Sequence, residues 1–286
     1  MTTIWEIDFY SRPIVDEDEK KIWEVLVCES PVDITVKPEN LFRYAEYCSN
    51  AEVNSVKLKE VLSNAIAQAP NPPDKIRFFR QAMNNMITKA CDDLGVPATM
   101  SRRTYALMQW MQQRLEQEYP KQPGFQPGAN PTVSFGTTLA RSLPDALQGQ
   151  KWALVTLPAL AFDDLSDWDV GFGESFPLSL IGLTADSVIP GLVIFSDRAT
   201  PLAAWMSGLE LGYFKFDLEP PRLLLETGVS DRWILADLVN ASLQAEATNF
   251  ETAKRQAKGV HFLAVQSSPD VETFAGFWLL QESNLA

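Results

Sequence analysis

The residues best suited to meet a polyanion lie between positions 75 and 103 of this chain. Lys75, Arg77 and Arg80 come first, then Lys89, then Arg102 and Arg103, against Asp92 and Asp93. On a strand, Lys75, Arg77 and Phe79 share one face, because side chains alternate. Two cations beside an aromatic ring suit a phosphate and an unstacked base, the pairing that single-stranded RNA demands. The expected contact set is therefore Lys75, Arg77, Phe79, Arg80, Arg102 and Arg103. The plainer alternative is that these cations pair with acids on neighbouring strands.

A second chemistry is phosphodiester cleavage, which needs two or three convergent carboxylates to hold divalent ions. Asp8 and Glu24 fall on the first two expected strands, and Glu46 or Glu60 could join them from a helix. A first-strand Asp followed by a hairpin and a helix resembles the ribonuclease-H-like layout. The segment 75–80 carries Lys and Arg where that layout wants a carboxylate. No catalytic residue, metal site or cofactor is expected. A single histidine, His261, excludes a multi-histidine metal site. Cys28, Cys48 and Cys91 are too widely spaced for a zinc site and suit reduced core thiols. Gly171-Phe-Gly173 lacks the strand-to-helix context and the Lys of a phosphate loop. His261, Trp205, Trp233 and Trp278 read as packed residues, and no serine has a plausible His partner.

These residues need elements to carry them. Alternation over 5–10 and an apolar run over 22–28 read as a strand pair around the acidic loop 16–19. Residues 38–47 suit a helix with Pro38 in its first turn. Leu58, Val61, Leu62, Ala65 and Ile66 mark a second helix behind Ser55, stopped by the prolines of 70–73. A short strand is expected at 75–80. Next comes a helix along Met83, Ile87 and Cys91 that ends at Gly95, then one capped by Ser101. In the second half, strands are expected at 152–157, 191–195, 222–226 and 233–236. Helices are expected from Thr200 to about Leu211 and over 242–258, and 161–173 reads as irregular. The chain closes with two apolar runs, 259–266 and 274–281, around a polar turn.

A length of 286 residues favours about two domains. Residues 120–131 hold four prolines and two glycines, which marks a linker. The expected organisation is an N-terminal domain over 1–122, a linker over 123–135 and an acidic C-terminal domain over 136–286. The expected class is α+β, with α/β as the alternative, each domain a mixed sheet with packed helices. Both halves run strand pair, helical segment, strand, an order also compatible with an old duplication. Net charge is −13. Residues 1–122 hold 15 basic and 18 acidic residues, a net of −3, and 123–286 hold 9 and 19, a net of −10. Phosphate contacts need Lys and Arg, so the N-terminal half is the better nucleic-acid surface. No run approaches the ~20 apolar residues of a membrane span. The N-terminus shows neither a secretory nor a transit segment, so a cytoplasmic location is expected.

Several strings carry a family likeness. The ending Phe274-Ala-Gly-Phe-Trp-Leu-Leu280 resembles the C-terminal signature of the TAB/ATAB family. Trp5-Glu-Ile-Asp-Phe-Tyr-Ser-Arg-Pro13 and Ile22-Trp-Glu-Val-Leu-Val-Cys28 resemble its opening. Lys75-Ile-Arg-Phe-Phe-Arg80 and Ser101-Arg-Arg103 resemble its central block. Ile189-Pro-Gly-Leu192, Ala203-Ala-Trp-Met206 and Asp231-Arg-Trp-Ile-Leu235 resemble its second half. The resemblance implies a soluble, non-enzymatic RNA-binding factor for translation of photosystem mRNAs, chiefly those of photosystem I. Its implied partners are an mRNA leader and translation or assembly factors. Lack of a transit segment implies the prokaryotic type of member. The alternative function is a protein-interaction scaffold for photosystem assembly, which the acidic second half would suit.

Overall fold

The computed structural model describes residues 2–128 and 138–283. These divide into two compact units. The first comprises 2–30 and 38–128, the second 31–37 and 138–283. Both mix helices with sheets of parallel and antiparallel strands, an α+β fold.

In the first unit, β1 (Ile4–Val15) and β2 (Lys21–Glu29) form an antiparallel hairpin. Asp16 Oδ1 closes the turn by accepting from the Asp18 and Lys20 backbone N–H groups. β3 (Arg43–Cys48) adds to β2 antiparallel, while β4 (Lys75–Phe78) and β5 (Ala98–Met100) continue parallel from β1. The order is β3-β2-β1-β4-β5. One sheet face packs on α1 (Ser55–Gln68) and α2 (Asn84–Asp92). That layer joins Trp5, Ile7 and Phe9 to Leu58, Leu62 and Ile87, each burial contributing roughly 1.5–3 kcal/mol. Asn54, not Ser55, caps α1 by accepting from the Lys57 N–H. α2 gives way to a turn that ends at Gly95, whose φ of +72° favours glycine. α3 (Tyr105–Gln117) covers the other sheet face, and Thr104, not Ser101, is its N-cap residue.

Residues 38–47 are not a helix. A short 3-10 turn, Pro38–Asn40, leads into β3, whose burial alternates residue by residue. Tyr44, Glu46 and Cys48 turn toward α1, and Arg43 and Tyr47 turn toward α3. Pairing along β2 overrides the weak helical pattern, a common tertiary effect. The Pro/Gly-rich stretch begins as packed chain rather than as a tether. Val15 N–H donates to Gly124 O at 3.0 Å and Gln126 N–H to Pro13 O at 2.9 Å. The rest of the expected linker, residues 129–135, lies outside the described residues.

The second unit has two sheets. β6 (Arg141–Ser142), β10 (Leu211–Leu218), β11 (Pro221–Thr227) and β12 (Asp231–Asp237) form one, ordered β10-β11-β12-β6. β7 (Lys151–Pro158), β8 (Val170–Glu174), β9 (Val188–Phe195), β13 (Val260–Gln266) and β14 (Phe274–Gln281) form the other, ordered β7-β9-β13-β14-β8. β8 and β10 were not expected as strands. α4 (Ala199–Ser207) and α5 (Ala241–Gln256) complete the core, with Leu202, Met206, Phe214, Phe250, Leu263 and Trp278 in one cluster. On the opposite face of this sheet, Phe262 stacks on Phe277 at 5.3 Å and Phe162 meets both edge-on or tilted. Every residue of β13 is buried, as a strand covered on both faces must be. Among the described residues no helix is long and apolar enough to cross a membrane.

Candidate functional site

Alternation along β1 sends Trp5, Ile7 and Phe9 into the apolar layer and leaves Glu6 and Asp8 on the α3 face. Register places Glu6 opposite Cys28, Asp8 opposite Leu26 and Tyr10 opposite Glu24. On β4, Ile76 and Phe78 join the apolar layer, so Arg77 lies beside Glu6 on the α3 face. The face under α3 is thus a buried polar layer. It holds Glu6, Asp8, Arg12, Glu24, Arg77 and Arg80, with Arg102 and Arg103 buried on the approach to α3.

Arg12 sits at the centre of this layer. Its Nη1 donates to Asp8 Oδ2 and its Nε to Glu24 Oε2, both at 2.9 Å. Arg80 grips Asp8 through Nε and Nη2, and its guanidinium lies 4.0 Å above the Tyr10 ring and 4.9 Å from that of Phe79. Glu24 accepts from the Tyr119 hydroxyl at 2.7 Å and from Arg114 Nη2. Glu6 ties the sheet to the start of α3, accepting from the Leu107 N–H at 2.7 Å and the Ser30 hydroxyl at 2.6 Å. A carboxylate at a helix N-terminus satisfies otherwise orphaned donors and suits the dipole.

These contacts fix the protonation states. Burial raises the Asp8 pKa, but Arg80 and Arg12 outweigh it and hold the carboxyl below its ordinary value. Burial works against the Arg12 charge, yet Asp8, Tyr119 and Glu24 raise its pKa. Burial, and beside it Glu6, pushes the Cys28 thiol well up, so Cys28 is an inert core thiol.

Of the residues expected to meet RNA, Arg77, Phe79, Arg80, Arg102 and Arg103 are buried and Lys75 is half-buried. The fold gathers them on or beside one sheet, under α3, and does not display them as an open basic surface. Among the carboxylates of the cleavage reading, Asp8 and Glu24 do come together, with Arg12 between them. Every oxygen of the two accepts from Arg12, Arg80, Arg114 or Tyr119, so the pair is already engaged by cations and a hydroxyl. Glu46 lies on the opposite sheet face, held by Lys57 at 2.8 Å and Tyr44 at 2.7 Å, and Glu60 is exposed on α1. Among the described residues no group of three or more His, Cys, Asp or Glu could hold a metal ion.

Sequence reasoning missed the exposed edge of this layer. Along α3 and β3, cations and rings alternate. Arg43 lies over Trp110 at 5.5 Å, and Arg114 lies over Trp110 at 5.5 Å, Tyr119 at 5.5 Å and Tyr47 at 5.9 Å. The i, i+4 spacing of Trp110 and Arg114 was the available signal. A cleft of about 460 Å³ opens beside Tyr47, walled by Ile14, Val15, Ile22 and Pro123. In the second unit, His261 is buried. Its Nε2 accepts from the Phe214 N–H and its Nδ1 donates to Gly259 O. Burial first, then the charge of Lys254, lowers its pKa well below the ordinary value, so the ring is neutral. Trp278 is buried as expected, and Trp205 and Trp233 meet edge-to-face at 5.1 Å.

Comparison with known proteins gives matches across the chain. The family model described as "RNA-binding protein Tab2/Atab2 N terminal" matches residues 4–114, and "RNA-binding protein Tab2/Atab2, C-terminal domain" matches residues 130–281. A relative in Arabidopsis thaliana, "Protein TAB2 homolog, chloroplastic", is 40% identical over 283 residues, 96% of this chain and 74% of the relative. A relative of the same name in Zea mays is 38% identical over 283 residues, 96% and 70% of the two chains.

Proposed function

Because this chain belongs to the Tab2/Atab2 family of RNA-binding proteins, we propose that it binds RNA and supports translation and biogenesis of photosystem subunits, chiefly those of photosystem I. The observation that carries the proposal is the match of both family models, one to each half of the chain. The family is described as one of RNA-binding proteins, not of enzymes, and the carboxylates most suited to catalysis are held by arginines. The first unit is the RNA-binding half in this reading, since residues 1–122 carry a net −3 and residues 123–286 a net −10. Lys75 is its half-exposed contact in the 75–103 segment. Arg77, Phe79, Arg80, Arg102 and Arg103 support the sheet edge and the start of α3 from within.

Ultraviolet cross-linking and sequencing of RNA recovered with the intact protein tests this. The expected result is enrichment of leaders of photosystem transcripts, with affinity falling as salt rises. Recovery of no RNA above background at moderate salt would overturn it. A second reading, a protein scaffold for photosystem assembly, is favoured by the acid pairing of Arg12, Arg80 and Arg114. It expects photosystem subunits or assembly factors, and no RNA, to co-purify.

A further inference from the structure

The buried layer under α3 ends at the open edge of the sheet, where its last cation, Arg114, is part-exposed. Arg114 is held from below by buried Glu24, and its Nη2 donates to the Tyr47 hydroxyl at 3.1 Å. Tyr47 is 39% exposed, on the edge strand β3. Burial, then the nearby Glu24 charge, raises its pKa, so its hydroxyl stays protonated at neutral pH. A ring fixed in this way is a rigid platform, because the side chain loses little further freedom when a partner stacks on it.

Beside the ring lies the cleft of about 460 Å³, within the ~300–1,000 Å³ range of small-molecule sites. Its lining combines Ile14, Val15, Ile22 and Pro123 with the acidic Asp16 and Glu17. The wall at 122–124 is fastened in place. Gly124 has φ +75°, and a Cβ there would meet Val15 O at 2.1 Å, so the chain approaches β1 as closely as only glycine allows. Charge decides what enters. The carboxylates of Asp16 and Glu17 repel a phosphate, whereas an uncharged aromatic ring meets apolar walls and a Tyr face. Cations lie outside the cleft, with Arg43 further along β3 and exposed Lys21 paired across from Val15. A single strand can use such an arrangement: an exposed ring on which a base stacks, with cations alongside for the backbone.

We propose that the cleft beside Tyr47 takes one unstacked nucleobase of single-stranded RNA, stacked on the Tyr47 ring, with the flanking backbone passing Arg43 and Arg114. The assignment rests on the RNA-binding reading above and gives it a place on the molecule.

The test uses the full chain and a fluorescein-labelled single-stranded RNA dodecamer of mixed sequence. Loss of one stacked base removes ~1–3 kcal/mol, so Tyr47→Ala weakens binding by about 5- to 150-fold, while Tyr47→Phe stays within about 2-fold. Gln122→Trp, which fills the cleft and keeps the ring, also weakens binding. Thermal melts of all three variants confirm that they fold. A 4-thiouridine probe cross-links to the peptide spanning 43–48, and an RNA duplex of equal length competes poorly. If the wild-type chain does not bind the dodecamer, the RNA-binding reading itself fails. Wild-type binding that is unchanged in Tyr47→Ala, with cross-links elsewhere, overturns the cleft and leaves that reading standing. A lysine-rich peptide that occupies the cleft without displacing RNA assigns it to a protein partner and equally overturns the proposal.

Discussion

The two units bury charge to different extents: each holds a carboxylate in mid-strand, and in the second unit that is Glu226 of β11, met by Arg232 at 2.7 Å. In the first, three carboxylates, Glu6, Asp8 and Glu24, lie in mid-strand and are met by guanidinium groups and by the start of α3. In the second, the buried cation Lys254 reaches outward from α5 to Glu251 at 2.9 Å and Glu282 at 2.6 Å, both part-exposed. The first arrangement is a layer that orients a helix over a sheet. The second is a clasp over an apolar core. A layer fixes geometry across a whole face, at a desolvation cost that only complete pairing offsets. A clasp fixes a single point and leaves its carboxylates partly hydrated.

The largest effect expected from breaking this comparison is in the second unit. A chain ending before Phe274 loses β14, which pairs with both β13 and β8 and carries Trp278 and Leu280 of the core. Its second unit is expected to unfold, while hydrogen exchange in β1, β2 and α1 stays protected. Protected β9 and β13 in that truncation would show that the apolar core does not need the strand. Next in size is Arg12→Leu, which leaves Asp8 and Glu24 short of their shared partner. A destabilisation of about 3–5 kcal/mol confined to the first unit is expected in urea melts. Lys254→Met, whose partners remain partly hydrated, should cost less. Equal losses would erase the distinction between layer and clasp.

A smaller effect separates the units by pH. His261 is held neutral, so the unfolded chain takes up a proton below its ordinary pKa of 6.5 while the folded one does not. Stability of the second unit therefore falls as pH drops below about 6.5. Asp8 has a folded pKa below the ordinary 3.8, so its contribution is fully present above that value and is lost as pH falls through the folded pKa. Acid titration followed by exchange mass spectrometry should thus soften the second unit before the first. His261→Gln should remove the earlier step. The opposite order would mean that the two groups are not the ones that titrate.

Much of this fold is legible in the sequence because its elements are locally consistent. The β1–β2 hairpin shows period-two alternation around an acidic turn, α1 shows a clean apolar stripe, and β13 and β14 are apolar runs. β3 is not legible, because Pro38 and Leu41 imitate a helix start and exposed Tyr47 blurs the alternation of Arg43 to Cys48. The site is legible by residue type but not by burial. Arg77, Arg80, Arg102 and Arg103 read as a surface because their surroundings come from distant parts of the chain. Asp8 lies 72 positions from Arg80, and the α3 residue Leu107 lies 101 positions from Glu6. The available clue was the reverse of the one followed: Glu6, Asp8 and Glu24 interrupt strands that are otherwise apolar, and a carboxylate there demands a partner.

The position of β14 also sets an order for synthesis. β8 ends at Glu174, and its one neighbour among the described strands begins at Phe274. At ~5–20 residues per second, a ribosome leaves β8 without that neighbour for on the order of 5–20 s. An open strand in that interval is a template for wrong partners. β8 reads Val170-Gly-Phe-Gly-Glu174, and its two glycines weaken any pairing made on propensity alone. The same glycines are needed once β14 arrives, since a Cβ at Gly173 would lie 2.4 Å from Phe277 O and one at Gly171 3.0 Å from Ala275 O. One pair of residues keeps a nascent strand from sticking to the wrong chain and later lets the right one come close.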